Sequence, residues 1–403
     1  MPPAPHPGLA PSALRWRILA LLFVCRTGLG VQFQTLGSVS DQLVADLGLR
    51  YAEIGTLIGL FMLPGLVLAL PAGWLGRHVA DRWLVVAGFA CLSAGGVLAA
   101  LASGFGLLAL ARLIAGVGFV FSTLYLTKMI TDWFAGKELA TALGILVTSW
   151  PLGIAMAQLG HVGIARYFDW HVAFAISAAY CACGAAGVGL LYRSPAPAPA
   201  AKAGAALPAA ALGLQAHEWV LTVIAAAVWG LYNAGYVICL SFAPQVLVAG
   251  GRSPAQAAAI ISLASWVMIY SIALCGRIAD RTGRRDELMY GCSAVAVGAL
   301  LLLRHTDWAV GLSLLIGLLG AAPAGIIMAL TAEAMAPQRR AFGMGVFFSV
   351  FFVIMALAPP LAGWLFDHSG DSYWPVVFSA SLFGGAALLY RVFRLAQRRL
   401  ARA

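Results

Sequence analysis

Apolar residues along this chain come in runs of about twenty, the length a helix needs to cross the hydrocarbon of a bilayer. Twelve such runs predict twelve spans, at 16–37, 54–73, 83–102, 105–127, 139–161, 171–192, 219–243, 255–275, 288–304, 308–331, 342–365 and 373–391. Short connectors such as ASGFG and RHTDW part neighbouring spans. The stretch SPAPAPAAKAGAALPAAALGLQA, residues 194–216, breaks the pattern at mid-chain and has the Ala/Pro composition of a linker. The predicted architecture is an all-α membrane protein of twelve transmembrane helices in two six-helix bundles, 1–193 and 217–403, joined by a cytoplasmic linker at 194–216.

Composition agrees. Of 403 residues, 62% are hydrophobic and only 10% charged, whereas a soluble domain carries about 25% charge. A soluble fold is therefore excluded. The first apolar run is too long for a signal-peptide core, so no cleaved leader is expected. The seven cysteines, Cys25, Cys91, Cys181, Cys183, Cys239, Cys275 and Cys292, sit in apolar runs without metal-ligand spacing. They read as packing residues. No phosphate-binding glycine loop and no Ser/His/Asp constellation is present, so neither an ATP-driven pump nor an enzyme is predicted, and no cofactor.

The net charge of +10 changes meaning once it is mapped. Nineteen lysines and arginines fall in segments on the N-terminal side of the spans. Only Arg50, Arg166, Arg252 and Arg304 fall on the other side, and Arg26 and Arg112 fall within spans. That asymmetry is a topology signal with both termini cytoplasmic, not a nucleic-acid patch.

The loop after the eighth span reads GRIADRTGRR, Gly276–Arg285, and the loop after the second reads GWLGRHVADR, Gly73–Arg82. The former resembles the G-x-x-x-D-R-x-G-R-R signature of the major facilitator superfamily through Gly276, Asp280, Arg281, Gly283, Arg284 and Arg285. The first copy keeps Gly73 and Arg82 but has Arg77 at the acidic position and Ala80 at the second glycine. ARLIAGVGF, with Arg112, Gly116 and Gly118, is similar to the helix 4 pattern of the same family. The resemblance implies bundles related by a pseudo-two-fold axis, and helices 1, 4, 7 and 10 around a central cavity. It implies a location in the cell (inner) membrane. Helix 1 and the 127–155 stretch look most like the cyanate and nitrate/nitrite carriers or the organic anion symporters.

Chemistry then attaches to particular residues. Asp280 is placed to cap a helix start, by pseudo-symmetry that of helix 5. Arg281, Arg284 and Arg285 are near enough to pair with Glu333, and Arg77 with Asp132, as a cytoplasmic latch. Arg26 lies in the middle of LALLFVCRTGLGVQFQTLG, Leu19–Gly37. A charge at mid-bilayer is costly and rarely faces lipid. All fifteen acidic residues lie in loops or near helix ends. Arg26 is therefore expected to face a wet cavity and to bind an anion, for which guanidinium offers a bidentate fork.

The remaining substrate-site candidates are Gln34 and Arg112; Trp229, Tyr232, Asn233 and Tyr236 on one face of helix 7; and Tyr125, Trp150 and Trp266. Pro151 and Pro359–Pro360 are expected to kink their helices. Nitrate carriers place arginines on helices 2 and 8, and here those helices have none, so a small organic anion fits better than nitrate. The functional expectation is a monomeric secondary transporter of a small anion, coupled to protons or to exchange. The alternative is an exporter of drugs or metabolites, since SWPLGIA shares Pro151 and Gly153 with a helix 5 element of drug antiporters.

Overall fold

The structure is a computed structural model that describes residues 12–76, 78–134, 138–164, 167–194, 213–336 and 339–400. Most of the expected linker lies outside the described residues. The first half of the chain forms α1 (Ser12–Ser38), the short α2 (Ser40–Leu47), α3 (Tyr51–Leu75), α4 (Asp81–Ala100), α5 (Phe105–Trp133), α6 (Leu139–Ile164) and α7 (Trp170–Leu191). The second half forms α8 (Ala216–Ala249), α9 (Pro254–Thr282), α10 (Arg285–Leu302), α11 (Ala309–Leu315), a π-helical turn (Ile316–Gly320), α12 (Ala324–Ala334), α13 (Arg340–Ser369) and α14 (Tyr373–Leu400).

The described residues contain eleven helices long and apolar enough to cross a membrane. The region expected as the ninth span is α10, whose eighteen residues open with Arg285, Asp286 and Glu287 and so hold a shorter apolar run. Several helices outrun their predicted spans. α8 has 34 residues, roughly 50 Å at 1.5 Å per residue. Polar ends that a hydropathy window trims away continue the same helix.

Side-chain contacts sort the helix ends onto two faces. The terminus face carries the start of α1 and the end of α14. There Arg15 pairs with Glu138 at 2.7 Å and Arg339 with Glu218 at 2.8 Å, while Lys128 pairs with Asp81 and Arg394 with Glu333. Each of these pairs stays within one half. On the opposite, distal face the halves are fastened to each other. Both oxygens of Asp367, near the end of α13, accept from the first amides of α3, Tyr51 at 2.9 Å and Ala52 at 2.7 Å. The Tyr51 ring stacks on Phe366 at 3.9 Å. Its hydroxyl donates to Asp41 at 3.1 Å, and Gln245 of α8 donates to Ser40 and Asp41 at 3.1 and 3.3 Å.

Between the faces, α3 packs on α13 and α6 on α9 across the halves. Lipid offers no hydrophobic drive for helix pairing, so such contacts depend on close backbone approach over small residues. Gly55 meets the Pro359 carbonyl and Gly363 the Tyr51 carbonyl, leaving no room for a β-carbon at either.

Candidate functional site

Arg26 sits on the buried side of α1, where Gly30 and Gly153 let α1 and α6 touch backbone to backbone. Its Nη1 donates to the Leu146 carbonyl at 2.9 Å, the Val147 carbonyl at 3.5 Å and the Ser149 hydroxyl at 3.0 Å, all on α6. One of these acceptors, Val147, stands four residues before a proline. Pro151 has no N–H and its ring crowds the carbonyl of residue i−4, which is Val147. Bare carbonyls in a membrane helix must be satisfied by a neighbour. In this state Arg26 therefore meets the carbonyls of α6 rather than a cavity, with 9% of its surface accessible.

Arg112 on α5 is 1% accessible. Its Nε donates to Leu57 on α3 at 3.1 Å; its Nη1 and Nη2 donate to Gln32 and Phe33 on α1 at 3.0 and 3.3 Å. The guanidinium lies over the Phe61 ring at 4.4 Å and the Phe33 ring at 5.9 Å. An unpaired buried cation was expected to need water or an anionic ligand. Carbonyl oxygens and two ring faces fill that role here.

The helix 7 candidates lie on α8. Tyr232 donates to the Ala321 carbonyl beside the π-helical turn at 2.5 Å. Trp229 stacks on Tyr232 at 5.9 Å. Asn233 donates back to Trp229 of its own helix at 2.8 Å. Tyr236 shares a hydrogen bond of 3.1 Å with Ser265 of α9. Trp150 packs between Phe33 and Phe119, each at 5.3 Å, and Tyr125 donates to the Ala72 carbonyl. Trp266 is half-buried on α9.

Gln34 lines a cavity between the halves, and Arg26 is not among that cavity's lining residues. The two are eight residues apart, roughly 12 Å along α1, and so stand at different levels of the helix.

Residues not singled out from the sequence complete this region. Gln158 of α6 crosses to the second half: it donates to the Leu240 carbonyl and accepts from Ser265, both at 3.4 Å. Leu240 stands four residues before Pro244, so its carbonyl too is freed by a proline. His161, in the last turn of α6, is buried and faces Ser177 at 3.4 Å, and Ser177 meets Thr35 at 2.7 Å. A polar residue seven or ten positions after a helix proline was the available signal.

The loop candidates gather at the terminus face. Gly283 ends α9 at φ +70°, a left-handed turn that favours glycine. Ala80, at the equivalent place, has φ −62° and needs none. Asp280 pairs with Arg285 at 3.3 Å rather than capping helix 5. The element packed against α6 in the second half is α9 itself, and Asp280 lies in the last turn of α9, three-quarters exposed. Arg285 also reaches Glu333 at 3.6 Å, Arg284 pairs with Glu287 at 3.6 Å, and Arg281 and Gly276 lie on α9. Gly73 belongs to α3, and Asp132 lies 3.8 Å from Lys128. Its expected partner Arg77 lies outside the described residues.

Known proteins share this arrangement. A bacterial homologue of the human lysosomal transporter Spinster superposes with a TM-score of 0.76 at 18% identity, covering 96% of this chain and 98% of that one. Among curated proteins, the lysosomal dipeptide transporter MFSD1 of Danio rerio is 28% identical over 41% of this chain and 36% of its own length. Monocarboxylate transporter 12 of Xenopus laevis is 28% identical over 35% and 34%. The D-galactonate transporter of Escherichia coli O6:H1 is 26% identical over 41% and 39%. The chain thus spans between a third and two fifths of the length of these relatives. The pattern of the Major Facilitator Superfamily matches residues 22–304 and 238–402. With matches running over nearly its whole length, the chain belongs to the Major Facilitator Superfamily, a family of membrane transporters rather than of enzymes.

Proposed function

We propose that the protein is a secondary transporter that moves a small organic carboxylate by alternating access. Helix pairings that recur in the two parts of the chain support this. The pairing of α1 with α6 and α7 is matched by that of α8 with α13 and α14, and that of α4 with α7 by α10 with α14. The observation that carries the mechanism is the contrast between the faces. Every described ion pair on the terminus face stays within a half, whereas Asp367, Tyr51, Gln245 and Asp41 join the halves on the distal face. With both termini in the cytoplasm of an inner-membrane protein, this state is shut toward the outside and free to part on the inside. The loop pairs Arg285–Asp280 and Arg285–Glu333 then form the resting half of a latch that exchanges partners when the terminus face closes.

The names of the three curated relatives support the substrate class, since a dipeptide, a monocarboxylate and galactonate all bear a carboxylate. Arg26 is the anchor in this reading. Its described bonds leave from one nitrogen toward a single kinked helix, and it keeps more accessible surface than Arg112. Guanidinium recognises carboxylate by a fork, and the coupling is to a proton or a counter-anion. Uptake of radiolabelled lactate, pyruvate and galactonate into proteoliposomes tests the proposal. Uptake of at least one, lost in Arg26→Ala and blocked by a reducible Tyr51→Cys/Asp367→Cys crosslink, is expected. Wild-type vesicles impermeable to all carboxylates would remove the substrate class. Full uptake by the crosslinked protein would remove alternation at the distal face.

A further inference from the structure

The last helix outruns its apolar run. Hydropathy ends that span at residue 391, yet α14 continues to Leu400 and carries Arg391, Arg394, Arg398 and Arg399 in its final turns. Arg394 is engaged by Glu333 and Asp286. Arg391, Arg398 and Arg399 are exposed and have no ion-pair partner among the described residues.

A groove of about 700 Å³ lies between this end of α14 and the start of α8, at the terminus face. Val220, Val392, Leu395 and Ala396 wall it, and His217 and Arg399 stand at the end nearest the termini. Val392, Leu395, Ala396 and Arg399 follow one another at i, i+3, i+4 and i+7, so they form a single stripe on α14. Seven residues, roughly 11 Å of helix, separate the apolar start of the stripe from its charge.

Among the described residues no acid lines the groove. The neighbouring Glu218 is turned inward and buried, accepting from Arg339 at 2.8 Å and from the Gln215 and Ala336 amides at 2.8 and 2.9 Å. Trp219, exposed beside the groove, is the kind of ring that gathers at the headgroup level of a bilayer. Apolar walls therefore run toward the membrane interior, and an unanswered guanidinium stands where headgroups lie.

That charge chooses the occupant. The 194–216 stretch of this chain holds one charged residue, Lys202, and brings no acid to Arg399. A second copy docking through the same face would set Arg399 and His217 against themselves. An anionic lipid brings a chain for the walls and a phosphate for the guanidinium, which binds phosphate oxygens as a fork. We propose that this groove binds one anionic phospholipid, its acyl chain along Val220, Val392, Leu395 and Ala396 and its phosphate on Arg399 and His217. The site is independent of the solute carried.

The test is native mass spectrometry of the purified full-length protein in detergent, titrated with phosphatidylglycerol and phosphatidylcholine, and with glycerol 3-phosphate and inorganic phosphate as chain-free controls. Phosphatidylglycerol should bind roughly fivefold tighter than phosphatidylcholine, the factor expected of one arginine at an anionic headgroup. His217→Gln/Arg399→Gln should bring that ratio close to one. Arg391→Gln, on the same helix end but outside the groove, should leave it unchanged. Leu395→Asp puts a negative charge between the walls and should weaken phosphatidylglycerol more than phosphatidylcholine. All these positions are exposed, so the variants should keep the wild-type unfolding midpoint. Equal affinity for the two lipids in the wild type overturns the proposal. An equal loss from Arg391→Gln marks diffuse surface charge and overturns it too. Either chain-free phosphate binding as tightly as phosphatidylglycerol marks an ion site without a chain, and a preference that survives the double variant removes Arg399 and His217; each result sinks the lipid site.

Discussion

Two arginines lie at membrane depth in the first half of this protein, and the bilayer presents the same difficulty to both. They meet it differently. Arg112 spreads three nitrogens over carbonyls of α1 and α3 and lays its plane on Phe61 and Phe33. It is a staple among three helices, almost sealed. Arg26 aims one nitrogen at one helix, at the point where Pro151 has left that helix short of a donor. The difference teaches that a buried cation has no need of a carboxylate when main-chain carbonyls converge on it. It also separates an arginine tied to two helices and two rings from one held by a single helix.

Substitutions break or sharpen that contrast. The largest effect is expected from Arg112→Ala, which empties a sealed site between three helices and should cost about 3–5 kcal/mol of stability. Thermal unfolding in detergent would show a marked drop in midpoint, whatever solute is present. Arg26→Ala should cost less, about 1–3 kcal/mol for the orphaned carbonyls, but should abolish carboxylate uptake in vesicles. Arg26→Lys should transport weakly, since a point charge replaces a fork.

Pro151→Ala restores a donor to α6, so Arg26→Ala should do less damage in that background. A double-mutant cycle on unfolding midpoints should give a coupling of roughly 1 kcal/mol, and strict additivity would remove the kink-cap account. The smallest effect is expected from Phe61→Leu, about 0.5–1 kcal/mol from losing the ring face under Arg112. Its uptake should stay near wild type.

Much of this was legible in the sequence. Span order followed from apolar runs of bilayer length, and the two intramembrane arginines stood out against them. The signature loop was readable too, because Gly283 has a conformational reason to be glycine. The acceptors of Arg26 were not legible. A proline frees a carbonyl one turn back, and the donor that answers comes from a helix far away in sequence. Gln158 and Gln245 were missed because a neutral amide inside an apolar run raises no alarm, although each ends up bridging the halves. The ends of α6 and α8 were set short by hydropathy, and the position of His161 in the last turn of α6 gave no sign that it is buried.

The Asp367 cap on α3 has a consequence for the distal face. One partner is a carboxylate; the other is bare main chain at a helix start, carrying the positive end of a dipole. No replacement of the Tyr51 or Ala52 side chain other than proline removes those two amides. The fastening is electrostatic, sits at the water's edge and is screened by dissolved ions. Chloride or phosphate in the surrounding medium competes for the same two N–H groups. The dwell time of the closed distal face should therefore shorten as ionic strength rises, which makes the salinity of the medium it meets a control on turnover.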